Sequence, residues 1–170
     1  MIEQDIADID AAIIDDMQAN ADYLRQVAVY LTKRHQMPLH LHILLLSFRL
    51  INYKGQASIE AGVIFDYIYS ATHFHNDTME QKIRCQDEVL TQGLKGTDSR
   101  ILVGDFFYSR AYNLMAKMGN MNVVSHLSNA INQYAEGQSL QVSQALELQT
   151  TESMYFQRLH RKSGLFYTCI

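Results

Sequence analysis

The stretch Tyr69–Glu80, YSATHFHNDTME, gathers the residue types best suited to hold a metal ion. On a helix, positions i, i+1 and i+4 lie close enough for Asn76, Asp77 and Glu80 to converge on one cation. Magnesium is a hard ion that favours carboxylate oxygen, so Asn76 offers it only a neutral amide oxygen, and Glu80 keeps the charge on a longer arm than aspartate. The same stretch carries His73, Asp77 and Glu80 at i, i+4 and i+7, a spacing that can chelate a transition metal from one helix face. The competing reading is a solvated helix end with packed imidazoles. His40 and His42 are two apart and cannot share such a face. There is no GxSxG, no glycine-rich phosphate loop and no local Ser/His/Asp signature.

These residues belong to a chain of 170 residues, 48% hydrophobic and 19% charged, which is enough to bury one core and predicts a single domain over 1–170. Net charge is −4 with the basic residues scattered, so no Lys/Arg stripe offers a nucleic-acid footprint. Cys85 and Cys169 stand far apart without a CxxC pattern, which fits a reducing compartment. The acidic start MIEQDIADID lacks the basic and apolar regions of a signal peptide, and a cytoplasmic location is expected. The longest apolar run, Leu39 to Ile51, is too short to span a bilayer and contains His40, His42 and Arg49, so no transmembrane helix is expected.

With a single proline and no hairpin signals, the chain reads as all helix. Ile2, Ile6, Ile9, Ile13 and Met17 recur at steps of three and four, predicting a surface helix with acidic outer positions. Leu24, Val27, Ala28 and Leu31 continue the pattern after a break near Asn20. Pro38 suits a first helical turn, and the following run to Ile51 leaves few polar positions on any face, which predicts a central helix. Tyr53-Lys54-Gly55 reads as a turn, with Ser58 as the cap of a helix running toward Asp77. A loop is expected over 81–98. A helix from about Ser99 to Met118 ends at Gly119-Asn120, another begins near Asn122, and a last one from about Thr151 places Tyr155, Leu159, Ser163 and Phe166 on one side.

Three segments together, YSATHFHNDTME, VGDFFYSRA at Val103–Ala111 and AEGQSLQ at Ala135–Gln141, resemble the trans-type polyprenyl diphosphate synthases, specifically the long-chain, octaprenyl-like branch. The resemblance implies that the helix end corresponds to that family's HDDxxD, whose carboxylates hold Mg²⁺ against the diphosphate of an allylic substrate. Asn76, Asp77 and Glu80 occupy the aspartate positions, which implies a degenerate Mg²⁺ site with weakened binding. The family follows with an Arg-Arg pair that clamps diphosphate. Counting without gaps from His75 to Gly104-Asp105 puts Cys85 and Gln86 there, with Arg84 one residue displaced and Lys82 near. For the isopentenyl diphosphate site, Lys33, Arg34 and Pro38 resemble the family's basic motif. The ungapped register from the Tyr53–Gly55 turn instead brings Met37 and His40 to the basic positions, and a short insertion would restore Lys33 and Arg34.

By the same resemblance, Lys162 reaches the allylic diphosphate, Ala71 and Thr72 leave room for a long product, and Gly104, Asp105, Arg110, Ala111, Glu136, Gly137 and Gln141 support helix packing. The implied fold is all-α, the N-terminal half of the isoprenoid synthase bundle, with about six to seven helices and the Leu39–Ile51 helix inside. Family members run to roughly 300 residues, in the range of large single domains, and their second aspartate-rich motif lies in the C-terminal half. The leading expectation is a catalytically defective synthase-like protein acting as an interaction or regulatory subunit. It would form a homodimer, or a heterodimer with a full-length synthase, through the GDFFYSRA and AEGQ helices. One alternative is a Mg²⁺-dependent prenyltransferase that binds prenyl diphosphate and borrows the second motif from a partner; the other is a prenyl-chain or lipid binding module.

Overall fold

A computed structural model describes residues 2–18, 22–34, 38–53, 55–79, 97–144 and 150–168. Among them there is no strand. In chain order the helices are α1 (Ile2–Met17), α2 (Asp22–Arg34), α3 (Leu39–Leu50), α4 (Ala57–Met79), α5 (Thr97–Met118), α6 (Met121–Gln144) and α7 (Glu152–Leu159). A π-helical turn (His160–Gly164) and the short α8 (Leu165–Thr168) follow. The all-α expectation holds, and no helix of the described residues is long and apolar enough to cross a membrane. The residues gather into two compact units, Met1–Leu114 and Met115–Ile170.

In the first unit, Ile6, Ile9, Ile13 and Met17 of α1 are all buried, as their spacing predicts. Each such side chain contributes about 1.5–3 kcal/mol when fully removed from water. The stripe packs against α2, α3 and α4. Close approach to α4 depends on Gly62, where a Cβ would stand 2.4 Å from Ile9 Cδ1. The helix that lies inside is α4: Val63, Ile64, Phe65, Asp66, Tyr67 and Ile68 are buried in succession, so every face is covered.

The expectation that the Leu39–Ile51 helix is central is corrected. In α3, His40, Leu41, Leu44 and Leu45 are buried, whereas Leu39, Leu46 and Leu50 are 61%, 53% and 87% exposed. The cause is one-sided packing, since α3 has α1 and α4 as its neighbours in this unit and both lie against the same face. Its start also differs by one residue: Pro38 occupies the N-cap position rather than the first turn, and its carbonyl accepts from the His42 amide at 3.0 Å. The turn after α3 is made by Asn52, in the left-handed region at φ 56°. Ser58 is not the cap of α4. It sits inside the first turn, and its hydroxyl donates to the Gly55 carbonyl at 3.1 Å. The break near Asn20 and most of the 81–98 loop lie outside the described residues.

In the second unit, Gly119 ends α5 at φ +69°, a conformation glycine adopts without steric cost. Asn120 Oδ1 then accepts from the amides of Asn122 and Val123, at 3.1 and 3.4 Å, and caps α6. Thr151 caps α7 by accepting from the Met154 amide. The π turn widens the helix by one residue, so the spacing that placed Tyr155, Leu159, Ser163 and Phe166 on one side does not carry through. Tyr155 and Leu159 are exposed, and the side chains of Ser163 and Phe166 lie outside the described residues.

Candidate active site

The central helix delivers His75, Asn76 and Asp77 on its last turns. His75 reaches across to α5. Its Nε2 lies 3.2 Å from Asp105 Oδ1 and 3.3 Å from the Ile101 carbonyl, and the Tyr108 ring flanks it at 5.4 Å between centroids. At Gly104 a Cβ would stand 2.3 Å from the same nitrogen, so the imidazole occupies the space that glycine leaves. The Gly104-Asp105 pair therefore packs α5 against His75 of α4.

Asn76 is half-buried beside it. Asp77 lies on the α4 backbone, with its side chain outside the described residues, and Glu80, Lys82, Arg84, Cys85 and Gln86 lie outside them altogether. Among the described residues no three His, Cys, Asp or Glu side chains come together as a metal group. His73 is exposed and meets Tyr69 edge-on at 4.5 Å. As donors for a divalent cation, the amide of Asn76 and the carboxylates that follow it have the hard oxygen Mg²⁺ needs, with one charge fewer than three carboxylates would supply.

Ala71 and Thr72 stand one turn before His75. Ala71 is 0% exposed, so no water-sized space adjoins it, and the Thr72 hydroxyl donates to the Tyr69 carbonyl at 2.6 Å. On the other side of α4, His40 is buried against Asp66 with Nε2 2.9 Å from Oδ1, and its ring stacks on Tyr69 at 3.9 Å. His42 turns back instead, its Nδ1 3.0 Å from the Pro38 carbonyl. Lys33 and Arg34 form the last residues of α2, with side chains outside the described residues.

A polar network missed by sequence reasoning holds α1, α4 and α5 together. Arg110 makes a bidentate pair with Asp16, Nε to Oδ2 at 2.7 Å and Nη2 to Oδ1, while the Tyr67 hydroxyl donates to Asp16 Oδ2 at 2.9 Å. The hydrogen bond to Asp16 holds the Arg110 guanidinium above its ordinary pKa. Burial, and then the Asp16 charge, push the Tyr67 phenol up from 10.0. In sequence Asp16 is one more acidic residue on a surface helix. The arginine of GDFFYSRA is the one signal that pointed toward it.

In the second unit the AEGQSLQ segment grips the π turn. Lys162 Nζ donates to Gln141 Oε1 at 2.6 Å, and Arg161 pairs with Glu136. Gly137 lets the turn come close, since a Cβ there would stand 3.0 Å from the Lys162 nitrogen and 3.1 Å from Arg161 Cβ. π turns recur at functional sites because they re-aim one side chain out of helical register. Apart from these positions, a groove of about 580 Å³ opens at the start of α4. It is lined by Asp5, Leu45, Phe48, Arg49, Tyr53 and Ile59, with Arg49 paired to Asp5 at 2.5 Å.

Residues 21–170 match the family described as Polyprenyl synthetase. The octaprenyl diphosphate synthase of Escherichia coli is 26% identical over 164 residues, covering 96% of this chain and 51% of its own. That of Haemophilus influenzae is 22% identical, covering 98% and 51%. A decaprenyl diphosphate synthase from Rhodobacter capsulatus superposes with a TM-score of 0.87 at 28% identity, over 99% of this chain and 52% of its own. A polyprenyl synthase from Caulobacter crescentus complexed with calcium and isoprenyl diphosphate shares the fold at a TM-score of 0.84 and 22% identity, over 98% and 51%. The chain thus spans about half the length of the relatives it matches.

Proposed function

The chain belongs to the polyprenyl synthetase family, and from that premise we propose a synthase-like protein of isoprenoid biosynthesis that is catalytically defective alone and serves as an interaction or regulatory subunit. The observation that carries this reading is Asn76, a neutral amide at the first of three positions where a diphosphate-bound cation needs charge. The His40–Asp66 pair supports it. On the ungapped register His40 stands where a phosphate-binding base is expected, and a buried imidazole bonded to a carboxylate is a poor substitute for a guanidinium.

Asn76, Asp77 and Glu80 are the residues that would hold Mg²⁺, which when bound supplies positive charge against a diphosphate. Lys162, Lys33, Arg34 and Arg84 are the chain's own cations for the phosphates, and Ala71 and Thr72 the small residues at the level a prenyl chain would reach, where space must open because both are buried. One observation favours a second reading, a prenyltransferase whose second motif comes from a partner: Lys162 is held in place by Gln141 on a purpose-shaped turn. The partner in either case is a second copy or a full-length synthase, in the cytoplasm, with 1–170 working as one domain.

The test is incubation with farnesyl diphosphate, isopentenyl diphosphate and Mg²⁺, alone and mixed with a full-length octaprenyl diphosphate synthase. Altered turnover only in the mixture is the expected result. Turnover by this chain alone would remove the defective-subunit reading, and an apolar ligand retained without diphosphate or metal would favour a lipid-binding module.

A further inference from the structure

We infer that His75 is a positioning residue for the turn of α4 that carries Asn76 and Asp77, an inference that rests on the metal-site reading above. Four residues of α5, namely Ile101, Gly104, Asp105 and Tyr108, recur at i, i+3, i+4 and i+7 and so line one face of that helix. Each supplies something an imidazole needs. The Ile101 carbonyl accepts from Nε2 at 3.3 Å, which puts a proton on that nitrogen, and the Asp105 carboxylate lies 3.2 Å from it. Gly104 leaves the room, and the Tyr108 ring closes the side. Together they form a socket with His75 seated in it.

The socket restrains the described end of α4, because a side chain wedged between Gly104, Asp105 and Tyr108 cannot move without carrying its own backbone. Asn76 and Asp77 stand about 100° and about 200° further round the helix axis than His75. The socket thus fixes the backbone from which both positions project.

The experiment is amide hydrogen exchange across α4, paired with Mn²⁺ titration followed by electron paramagnetic resonance, on the wild-type chain and on His75→Ala, His75→Gln and Gly104→Ala. His75→Ala and Gly104→Ala are expected to speed exchange at residues 76–79 about tenfold or more, with the start of α4 unchanged. His75→Gln keeps a donor for Asp105 and is expected to restore most of the protection. Unchanged exchange at 76–79 in His75→Ala overturns the inference, as does a uniform increase along the whole helix. Should Gly104→Ala fail to fold, the contrast between His75→Ala and His75→Gln still decides. Mn²⁺ separates the two readings. Exchange that responds as expected in a chain that binds no Mn²⁺ removes the metal-site reading and leaves His75 as the anchor of the turn. Mn²⁺ binding weakened about tenfold in His75→Ala and recovered in His75→Gln supports both.

Discussion

A Cβ on Gly137 would stand 3.0 Å from the backbone nitrogen of Lys162, closer than the two segments can settle without moving. In an ordinary helix interior Gly→Ala stabilises by about 1 kcal/mol. Here the neighbour is backbone and cannot rotate aside. Gly137→Ala is therefore expected to destabilise by about 1–2 kcal/mol and to pull Lys162 from Gln141. Urea denaturation reads the first effect and the side-chain ammonium resonance of Lys162 the second. A more stable variant would mean that the turn tolerates the methyl.

Removing Arg110 tests the network around Asp16. Arg110→Met leaves the Asp16 carboxylate with the Tyr67 hydroxyl but without its guanidinium. Because the pair is partly exposed, the expected loss is about 1–3 kcal/mol rather than the full cost of a buried orphaned charge. Denaturation midpoints of Arg110→Met, Asp16→Asn and the double variant should show strong coupling, the double costing well under the sum.

Alkaline pH reports the same network through Tyr67. Its phenol is pushed above 10.0 in the folded chain, first by burial and then by Asp16, so the folded state binds that proton more tightly than the unfolded one. The stabilisation is complete below pH 10 and declines as pH rises beyond it. Stability measured from about pH 8 to about pH 11 should fall more steeply in the wild type than in Tyr67→Phe. Equal slopes would place the phenol outside the linkage.

Gly62→Ala is expected to cost about 1–3 kcal/mol by overpacking against Ile9. The clash is with Ile9 Cδ1 at 2.4 Å and Cγ1 at 2.8 Å, and Ile9→Ala removes both atoms. In the Ile9→Ala background Gly62→Ala should be nearly neutral, a coupling that a double-mutant cycle measures directly.

Restoring charge at the helix end should restore metal affinity before it restores chemistry. Asn76→Asp is expected to tighten Mn²⁺ binding by about tenfold, the size of one added carboxylate contact of about 1.4 kcal/mol. The triple change Asn76→Asp, Cys85→Arg, Gln86→Arg is expected to remain inactive alone in a radiolabelled isopentenyl diphosphate assay. Product formation would show that the motif, not the extent of the chain, is limiting.

What could be read in the sequence depended on the range of the interaction. The α1 stripe was legible because Ile6, Ile9, Ile13 and Met17 share a face by local spacing alone. The place of α3 was not, because counting apolar residues says how greasy a helix is and not how many neighbours it has. Conversely α4 hides in sequence behind Asp66, Ser70 and Thr72, polar residues that are buried here. Asp16 read as surface because its partners lie 51 and 94 residues away. At the candidate site, spacing and motif pointed to Asn76, Asp77, Glu80 and Lys162, and the structure finds Lys162 on the π turn bonded to Gln141. The socket around His75 and the π turn were not, since no periodic pattern announces a missing Cβ or an added residue per turn.

The leucine ridge of α3 can make thermal stability a property of the sample as well as of the sequence. Any species that covers Leu39, Leu46 and Leu50 only in the folded state lowers its free energy by mass action. Where that species is a second copy, melting temperatures climb with protein concentration, and values taken at different dilutions describe different equilibria.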